Sequence, residues 1–222
     1  MTQEQFNEVK ERLAKWRKKS RLTYKYHRER FFEYILENES LYFKAKSDFD
    51  RIKSLVNIYI FLLNSINVNY KLYRRMFIGN SFKDGEFNIK TLVAATAEYM
   101  DTHKVMRDVG LIPSESQAAY IMCGIENMFK HLSFDLHKCI IEKLKEIESR
   151  TGYYDKGLNK FTKDKGAYNT KEAYDKFLKE NISDDFYILE DNEEFVIFDK
   201  ENDFALDKFK KWYKADYESC RI

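Results

Sequence analysis

Apolar residues recur at helical spacing through the first two thirds of the chain. At the N-terminus Thr2 and Gln5 have the spacing of a capping box, and an apolar stripe follows. That stripe consists of Phe6, Val9, Leu13 and Trp16. The pattern predicts an amphipathic helix with one narrow apolar face, and residues 22–37 continue with the same period.

Residues 48–77 form the most apolar part of the chain and predict its longest helix. Their apolar positions make a wide stripe, which is typical of a central, largely buried helix. Gly79 is expected to end this helix, because the glycine- and asparagine-rich segment that follows it is typical of a loop.

Capping residues predict three more helices before residue 150. Asn88 is suited to cap a helix that ends near Gly110, and Ser114 begins a helix that reaches about Leu132. Ser133 is suited to cap the third. With seven glycines and one proline in 222 residues, the composition also favours a mainly α fold.

The pattern changes at Gly152. Residues 151–168 are rich in glycine and lysine and predict a loop or hinge. Asn169 is then suited to cap a short helix, and two β-branched and aromatic runs at residues 186–198 predict a β-hairpin. Asn202 is expected to cap a last helix that extends through Tyr213.

The predicted architecture is therefore a multi-helix bundle with a small appendage. The helical body covers residues 1–150, the loop or hinge residues 151–168, and an α+β appendage residues 169–222. The appendage combines an acidic β-hairpin with a helix. We find no internal repeat.

Composition and motifs exclude several function classes. The three cysteines are widely spaced, so we expect reduced thiols rather than a disulfide framework or a zinc site. The apolar run at 55–68 is too short for a membrane span, and the N-terminus lacks the apolar core of a signal peptide. The residue usage is typical of AT-rich bacterial or phage genomes. We expect a cytoplasmic protein, or one held within a virion or nucleoprotein assembly, with no membrane association.

The chain carries none of the short motifs that identify common catalytic sites. It has no Walker loop, no dinucleotide-binding glycine motif, no nucleophile elbow, no HExxH and no CxxC. We therefore expect a non-enzymatic protein without cofactor or metal.

Charge is divided between the two ends of the chain. Residues 1–30 hold ten basic and four acidic residues, for a net charge of +6, whereas residues 184–207 hold one basic and ten acidic residues, for a net charge of −9. Such local charge concerns partners rather than fold.

The basic segment is a candidate for binding nucleic acid or an acidic partner. Its cations are interleaved with Tyr24 and Tyr26, which suits a phosphate backbone with occasional base stacking. The candidate binding residues are Arg12, Lys15, Lys18, Lys19, Arg21, Lys25 and Arg28. The alternative is a solvated helix face whose cations pair with the chain's own carboxylates.

The acidic segment is a candidate protein-docking surface. Its members are Asp184, Asp185, Glu190, Asp191, Glu193 and Glu194. Oppositely charged ends suit contacts with other subunits. The first functional hypothesis is thus a helical interaction protein, an adaptor or structural subunit of a larger assembly such as a phage or defence complex, bound to a protein partner or to copies of itself. The alternative is a nucleic-acid-binding accessory protein.

A second alternative follows from one short motif. The spacing of Arg21 and His27, with five residues between them, resembles the Arg-x4–6-His motif of the HEPN ribonucleases, which are also helical. The resemblance implies that the two residues would bind and polarise an RNA phosphate at a dimer interface. The polar residue that usually follows the arginine in that family is replaced here by Leu22.

Overall fold

The computed structural model describes residues 1–79, 87–108, 115–155, 157, 160–181 and 185–222. They form two compact units: unit 1 comprises Met1–Glu142 with Asp216–Ile222, and unit 2 comprises Lys143–Ala215. Unit 2 is therefore an insertion in the chain of unit 1. The protein is mostly helical, with a small sheet region toward the C-terminus.

Nine α-helices lie in the described residues, and a short 3-10 helix lies at the C-terminus. They are α1 (Gln3–Ser20), α2 (Tyr24–Glu29), α3 (Phe31–Lys44), α4 (Asp48–Ser65), α5 (Tyr70–Gly79), α6 (Ile89–Asp108), α7 (Glu115–His131), α8 (Leu136–Ser149), α9 (Thr170–Glu180) and the 3-10 helix Glu218–Cys220. None of those in the described ranges combines the length and apolar composition needed to cross a bilayer.

Helix α1 begins where its sequence predicts. The Thr2 side chain accepts a hydrogen bond from the Gln5 backbone, and the Gln5 side chain reciprocates, which confirms the predicted capping box. Phe6, Val9 and Leu13 of the apolar stripe are fully buried. The helix ends at Arg21, whose φ of 53° places it in the left-handed region.

The single helix predicted for residues 48–77 is wrong, because the chain divides there into α4 and α5. Ile66 is extended, and the Asn69 side chain accepts a hydrogen bond from the Leu72 backbone at 2.9 Å to begin α5. Asparagine offers the backbone such local bonds and so interrupts helices. Residues 22–37 likewise divide into α2 and α3, around Arg30.

The other predicted helix boundaries agree with the structure in part. Helix α5 ends at Gly79, and the Asn88 side chain caps α6 through the Lys90 backbone at 2.9 Å. Ser133 does not cap α8; it has a φ of 59°, and Asp135 caps that helix instead. The predicted ends at Gly110 and Ser114 lie outside the described residues.

Unit 2 contains a two-stranded and a four-stranded sheet. The strands are β1 (Gly152–Asp155), β2 (Lys160–Lys163), β3 (Gly166–Ala167), β4 (Phe186–Glu190), β5 (Glu194–Asp199) and β6 (Ala205–Lys211). β1 and β2 pair with each other, and the larger sheet has the order β3-β6-β5-β4. The β3–β6 pair is parallel and the other pairs are antiparallel.

The predicted hairpin is confirmed, whereas two neighbouring predictions are wrong. β4 and β5 pair antiparallel with Glu190 opposite Phe195. The expected loop at 151–168 contains β1, β2 and β3, and the expected last helix is β6. β6 lies between β5 and β3, so pairing on both of its edges outweighs the helical spacing of its apolar residues.

The core of unit 2 lies between α9 and the four-stranded sheet. Its buried members are Ala167, Ala173, Phe177, Phe186, Phe195, Ile197 and Phe209. Asn169 caps α9 as predicted, through the Glu172 backbone at 2.9 Å. Packing of α9 against the sheet thus holds the β4–β5 hairpin in place, and with it the charged residues that the hairpin carries.

Candidate functional site

Three lysines of α1 lie on the helix face opposite its buried stripe. Lys15, Lys18 and Lys19 are exposed, while the buried positions of the helix hold three apolar side chains together with Arg17 and Ser20. Residues three and four apart are neighbours on a helix surface, so these three cations form one cluster. Arg21 and Lys25, both exposed, follow at the end of α1 and in α2.

Two of these cations form only surface ion pairs. Lys15 lies 2.8 Å from Glu11, and Lys25 lies 3.9 Å from Glu29. All four side chains are more than half exposed. Such pairs contribute about 0–1 kcal/mol and are screened by salt, so both lysines remain available to a partner.

Three further cations are not committed to intramolecular pairs. Within the part of the chain that the structure describes, Lys18, Lys19 and Arg28 form no side-chain hydrogen bond or ion pair. Arg12 is half-buried and has interactions within the protein, as does Arg21. We call the exposed set Lys15, Lys18, Lys19, Arg21 and Lys25, with half-buried Arg28, the α1–α2 basic surface.

Arg17 differs from its neighbours because it points into unit 1. Its guanidinium donates to the Asn64 side chain at 2.5 Å and to the Tyr24 hydroxyl at 3.1 Å, and it stacks on the Tyr24 ring at 4.4 Å. Burial lowers the pKa of Arg17, while the Tyr24 hydroxyl opposes that shift. Arg17 thus joins α1 to α2 and α4 and is not part of the binding surface.

Replacing Arg17 by alanine is expected to destabilise unit 1 by about 3 kcal/mol, because it leaves the buried Asn64 oxygen without its donor. Lys18→Ala, one position further along α1, should change the free energy of unfolding by less than about 0.5 kcal/mol. Urea unfolding followed by circular dichroism tests both variants. Equal effects of the two substitutions would contradict the buried role of Arg17.

The aromatic residues of the segment are occupied within the protein. Tyr24 lies under Arg17, and the Tyr26 ring lies 5.0 Å from the Arg30 guanidinium. Both tyrosines are half-buried. The predicted base-stacking role therefore has less support than the predicted phosphate-binding role.

The structure also places the two residues of the ribonuclease-like motif. His27 is 5% exposed, and its Nδ1 donates to the Thr23 carbonyl oxygen at 2.9 Å. Its ring packs edge-on against Phe61, and burial lowers its pKa. Arg21, in contrast, is exposed at the end of α1. A histidine enclosed in this way is poorly placed to polarise a phosphate in solvent.

Most described members of the predicted acidic surface have partners within unit 2. Glu190 lies 2.7 Å from Lys211, Glu194 lies 2.8 Å from Lys210, and Asp185 lies 3.5 Å from Lys200. The Asp191 carboxylate accepts backbone hydrogen bonds in the hairpin turn, including that of Glu193 at 2.7 Å. Asp184 lies outside the described residues.

The lysines of β6 are thus partners of the hairpin carboxylates that the sequence pattern did not indicate. Lys210 and Lys211 were expected on a helix, where they would not face the hairpin carboxylates. In the sheet, Lys210 stands opposite Glu194, and the two form a cross-strand ion pair. The charge of the acidic segment is partly neutralised by a neighbouring strand.

Unit 2 also has an open cavity of about 570 Å³. It is lined by Ser149, Thr151, Asp164, Asn192, Glu193, Lys210 and Lys211. The two lysines pair with hairpin carboxylates, and the Thr151 hydroxyl donates to Asp164 at 2.6 Å. The lining is polar, and its hydrogen bonds are internal.

Glu39 and Glu126 are buried carboxylates of unit 1 that resemble ordinary polar helix positions in the sequence. Glu126 accepts hydrogen bonds from the Tyr73 hydroxyl and, at 2.7 Å, from the Met1 amino group. Burial raises the pKa of Glu39, and the Thr96 side chain opposes that shift. In the described ranges, no three metal-ligating side chains come together.

No family model, no curated protein and no solved structure matches this chain.

Proposed function

We propose that this chain is a non-enzymatic interaction protein that binds the phosphate backbone of a nucleic acid through the α1–α2 basic surface. The observation that carries this proposal is the contrast between the two charged segments. The hairpin carboxylates pair with lysines of their own sheet, whereas Lys18, Lys19 and Arg28 have no such partners among the described residues.

The contrast between the paired hairpin carboxylates and the cations of the α1–α2 basic surface favours a polyanionic partner. Exposed cations clustered on one helix face attract phosphate groups and release condensed counterions when they bind them. Because Tyr24 and Tyr26 are held under guanidinium groups, the proposed contacts go to phosphates more than to bases. Binding should then depend weakly on nucleotide sequence.

The function belongs to a larger assembly in this proposal. The chain would act as an adaptor or structural subunit, with unit 1 as a helical-bundle body and unit 2 as its α+β appendage. The division of the chain at 151–168 between a body at 1–150 and an appendage at 169–222 stays a prediction, although 151–168 holds three strands instead of the expected loop or hinge. The docking role of the acidic surface stays a prediction too. Four described members of that surface, Asp185, Glu190, Asp191 and Glu193, are exposed.

The proposal is tested by removing three exposed lysines of α1 together. Lys15→Ala/Lys18→Ala/Lys19→Ala is expected to weaken binding of a labelled RNA or DNA oligonucleotide on the order of 10²-fold at about 50 mM salt. Each lost phosphate contact is worth about 1 kcal/mol, and 1.4 kcal/mol is tenfold in affinity. Fluorescence anisotropy measures the affinity.

A matched control removes the same charge from another part of unit 1. Lys44, Lys46 and Lys53 are also exposed, so their triple alanine variant lowers the net charge equally. It should retain most of the affinity. Equal losses in both variants would mean that only net charge matters, and absent binding by the unmodified chain would exclude the proposed function.

A further inference from the structure

Residues 216–222 return to unit 1 after the chain has completed unit 2. The Asp135 backbone N–H donates to the Cys220 carbonyl oxygen at 2.9 Å, and the Ile222 N–H donates to the Ser133 carbonyl oxygen at 3.0 Å. These bonds attach the C-terminal segment to the turn that precedes α8.

Side chains hold the same segment in place. The Arg221 guanidinium lies 4.8 Å from the ring centroid of Phe134 and 5.1 Å from that of Phe49. Tyr217 is buried. Residues 216–222 are thus packed and hydrogen-bonded as part of unit 1.

This arrangement brings two cysteines together. Cys139 of α8 and Cys220 are both buried, and the Cys220 thiol donates to the Asp216 carbonyl oxygen at 3.4 Å. After burial, which is the larger cause, the nearby Cys220 side chain also raises the pKa of Cys139, so the two side chains are neighbours. The backbone of Asp135 is hydrogen-bonded to both cysteines. Its carbonyl oxygen accepts from the Cys139 N–H at 3.0 Å, and its N–H donates to the Cys220 carbonyl oxygen. Burial raises the pKa of both thiols, so they rest protonated.

The cysteine pair lies where unit 2 leaves and re-enters unit 1. Glu142 accepts a hydrogen bond from the Asp216 backbone at 3.1 Å, at the two ends of the insertion. A covalent bond between residues 139 and 220 would enclose the whole of unit 2 in one loop.

We propose that Cys139 and Cys220 are a redox pair that closes into a disulfide, which fixes residues 216–222 on unit 1 and ties together the two ends of the inserted unit 2. The pair is independent of the proposed nucleic-acid binding. A third cysteine, Cys123, donates to the Tyr73 carbonyl oxygen at 3.2 Å and belongs to another part of the interior.

The reaction needs a disulfide oxidant, such as oxidised glutathione. The Cys220 thiolate, after losing its proton to solvent, attacks one sulfur of the oxidant and expels one glutathione thiolate. The Cys139 thiolate then attacks the Cys220 sulfur of the mixed disulfide and expels the second. The two protein sulfurs are oxidised, two glutathione molecules are reduced, and each takes up one proton.

Burial sets the rate of this reaction. Because the thiolate is the attacking species and both thiols are enclosed with raised pKa values, oxidation has to wait for the C-terminal segment to open. The thiols should therefore persist in a reducing buffer and close slowly in an oxidising one.

The experiment treats the full chain with oxidised glutathione and counts thiols after denaturation. We expect the free thiols to fall from three to one, the mass to fall by two hydrogen atoms, and a peptide map to join residues 139 and 220. The oxidised protein should unfold at a temperature higher by about 5–10 °C, reversibly on reduction, because the bond closes a long loop.

Matched variants separate this pair from the remaining cysteine. Cys123→Ser should form the same bond, whereas Cys139→Ala and Cys220→Ser should each fail to form it, with folding checked by circular dichroism. Three free thiols after prolonged oxidation would overturn the proposal. Stable glutathione adducts without closure would overturn it as well, because they would show that the second thiol cannot reach the first.

Discussion

Raising the salt concentration from about 50 to 200 mM is expected to weaken nucleic-acid binding by the unmodified chain on the order of 10³-fold. The α1–α2 basic surface holds six cations, and each phosphate neutralised on duplex DNA contributes roughly −0.9 to the slope of log affinity against log salt. Five or six contacts therefore give a slope of about −5. Fluorescence anisotropy with a labelled duplex at four salt concentrations measures it.

The same salt titration also predicts how the slope of log affinity against log salt changes in the triple lysine variant. Without Lys15, Lys18 and Lys19, the slope should become shallower by about 2.7, so the affinity should fall only on the order of tens of fold over the same range. The control variant that lacks Lys44, Lys46 and Lys53 should keep the original slope. A triple variant that binds more weakly with an unchanged slope would mean that these lysines do not contact phosphate.

The helical part of the fold could be predicted from sequence because its signals are local. The capping box of Thr2 and Gln5, the Asn88 cap and the end of α5 at Gly79 depend on residues a few positions apart. The break between α4 and α5 was missed because the apolar stripe continues through it. Ile66 and Val68 stay buried in an extended segment, so burial alone did not reveal the change.

The strands of unit 2 were harder to predict because their partners are distant in sequence. β6 pairs with β3, about forty residues earlier, and its apolar residues also fit a helical period. Only the hairpin of β4 and β5, with its short turn, has a purely local signal. Pairing with strands distant in the sequence therefore makes β6 a strand, and the periodicity of a single sequence cannot show this.

The candidate site shows the same division. Sequence identified the basic segment, and exposure follows directly from the helix period at Lys15, Lys18 and Lys19. It could not separate Arg17 from them, because the guanidinium reaches Asn64, a residue on another helix. The pairing of hairpin carboxylates with Lys210 and Lys211 likewise required the sheet.

Gly166→Ala is expected to destabilise unit 2 by about 3 kcal/mol. A Cβ atom at Gly166 would overlap the indole ring of Trp212, so that ring would have to move. The Lys176 ammonium lies 4.4 Å from the ring, and Arg150 lies 5.5 Å from it. Overpacking costs about 1–3 kcal/mol, and each weakened cation–π contact adds about 0.5–1 kcal/mol.

The fluorescence of Trp212 can measure this loss. The chain has two tryptophans, so Trp16→Phe leaves Trp212 as a reporter of unit 2 during urea unfolding. Gly157→Ala is the matched control, because among the described residues its Cβ would meet only the Asp155 side chain, at 3.3 Å, and it should cost less than about 1 kcal/mol.

A double-mutant cycle tests whether the cost arises at the indole ring. In a Trp212→Leu background, followed by circular dichroism, Gly166→Ala should cost much less, because the smaller side chain leaves room for the added methyl group. The backbone contribution of Gly166, which pairs with Lys210 and accepts from Lys176 at 2.6 Å, is the same in both backgrounds. An undiminished cost without the indole would place the effect in the strand backbone, and the close packing of Gly166 on Trp212 would not be its cause.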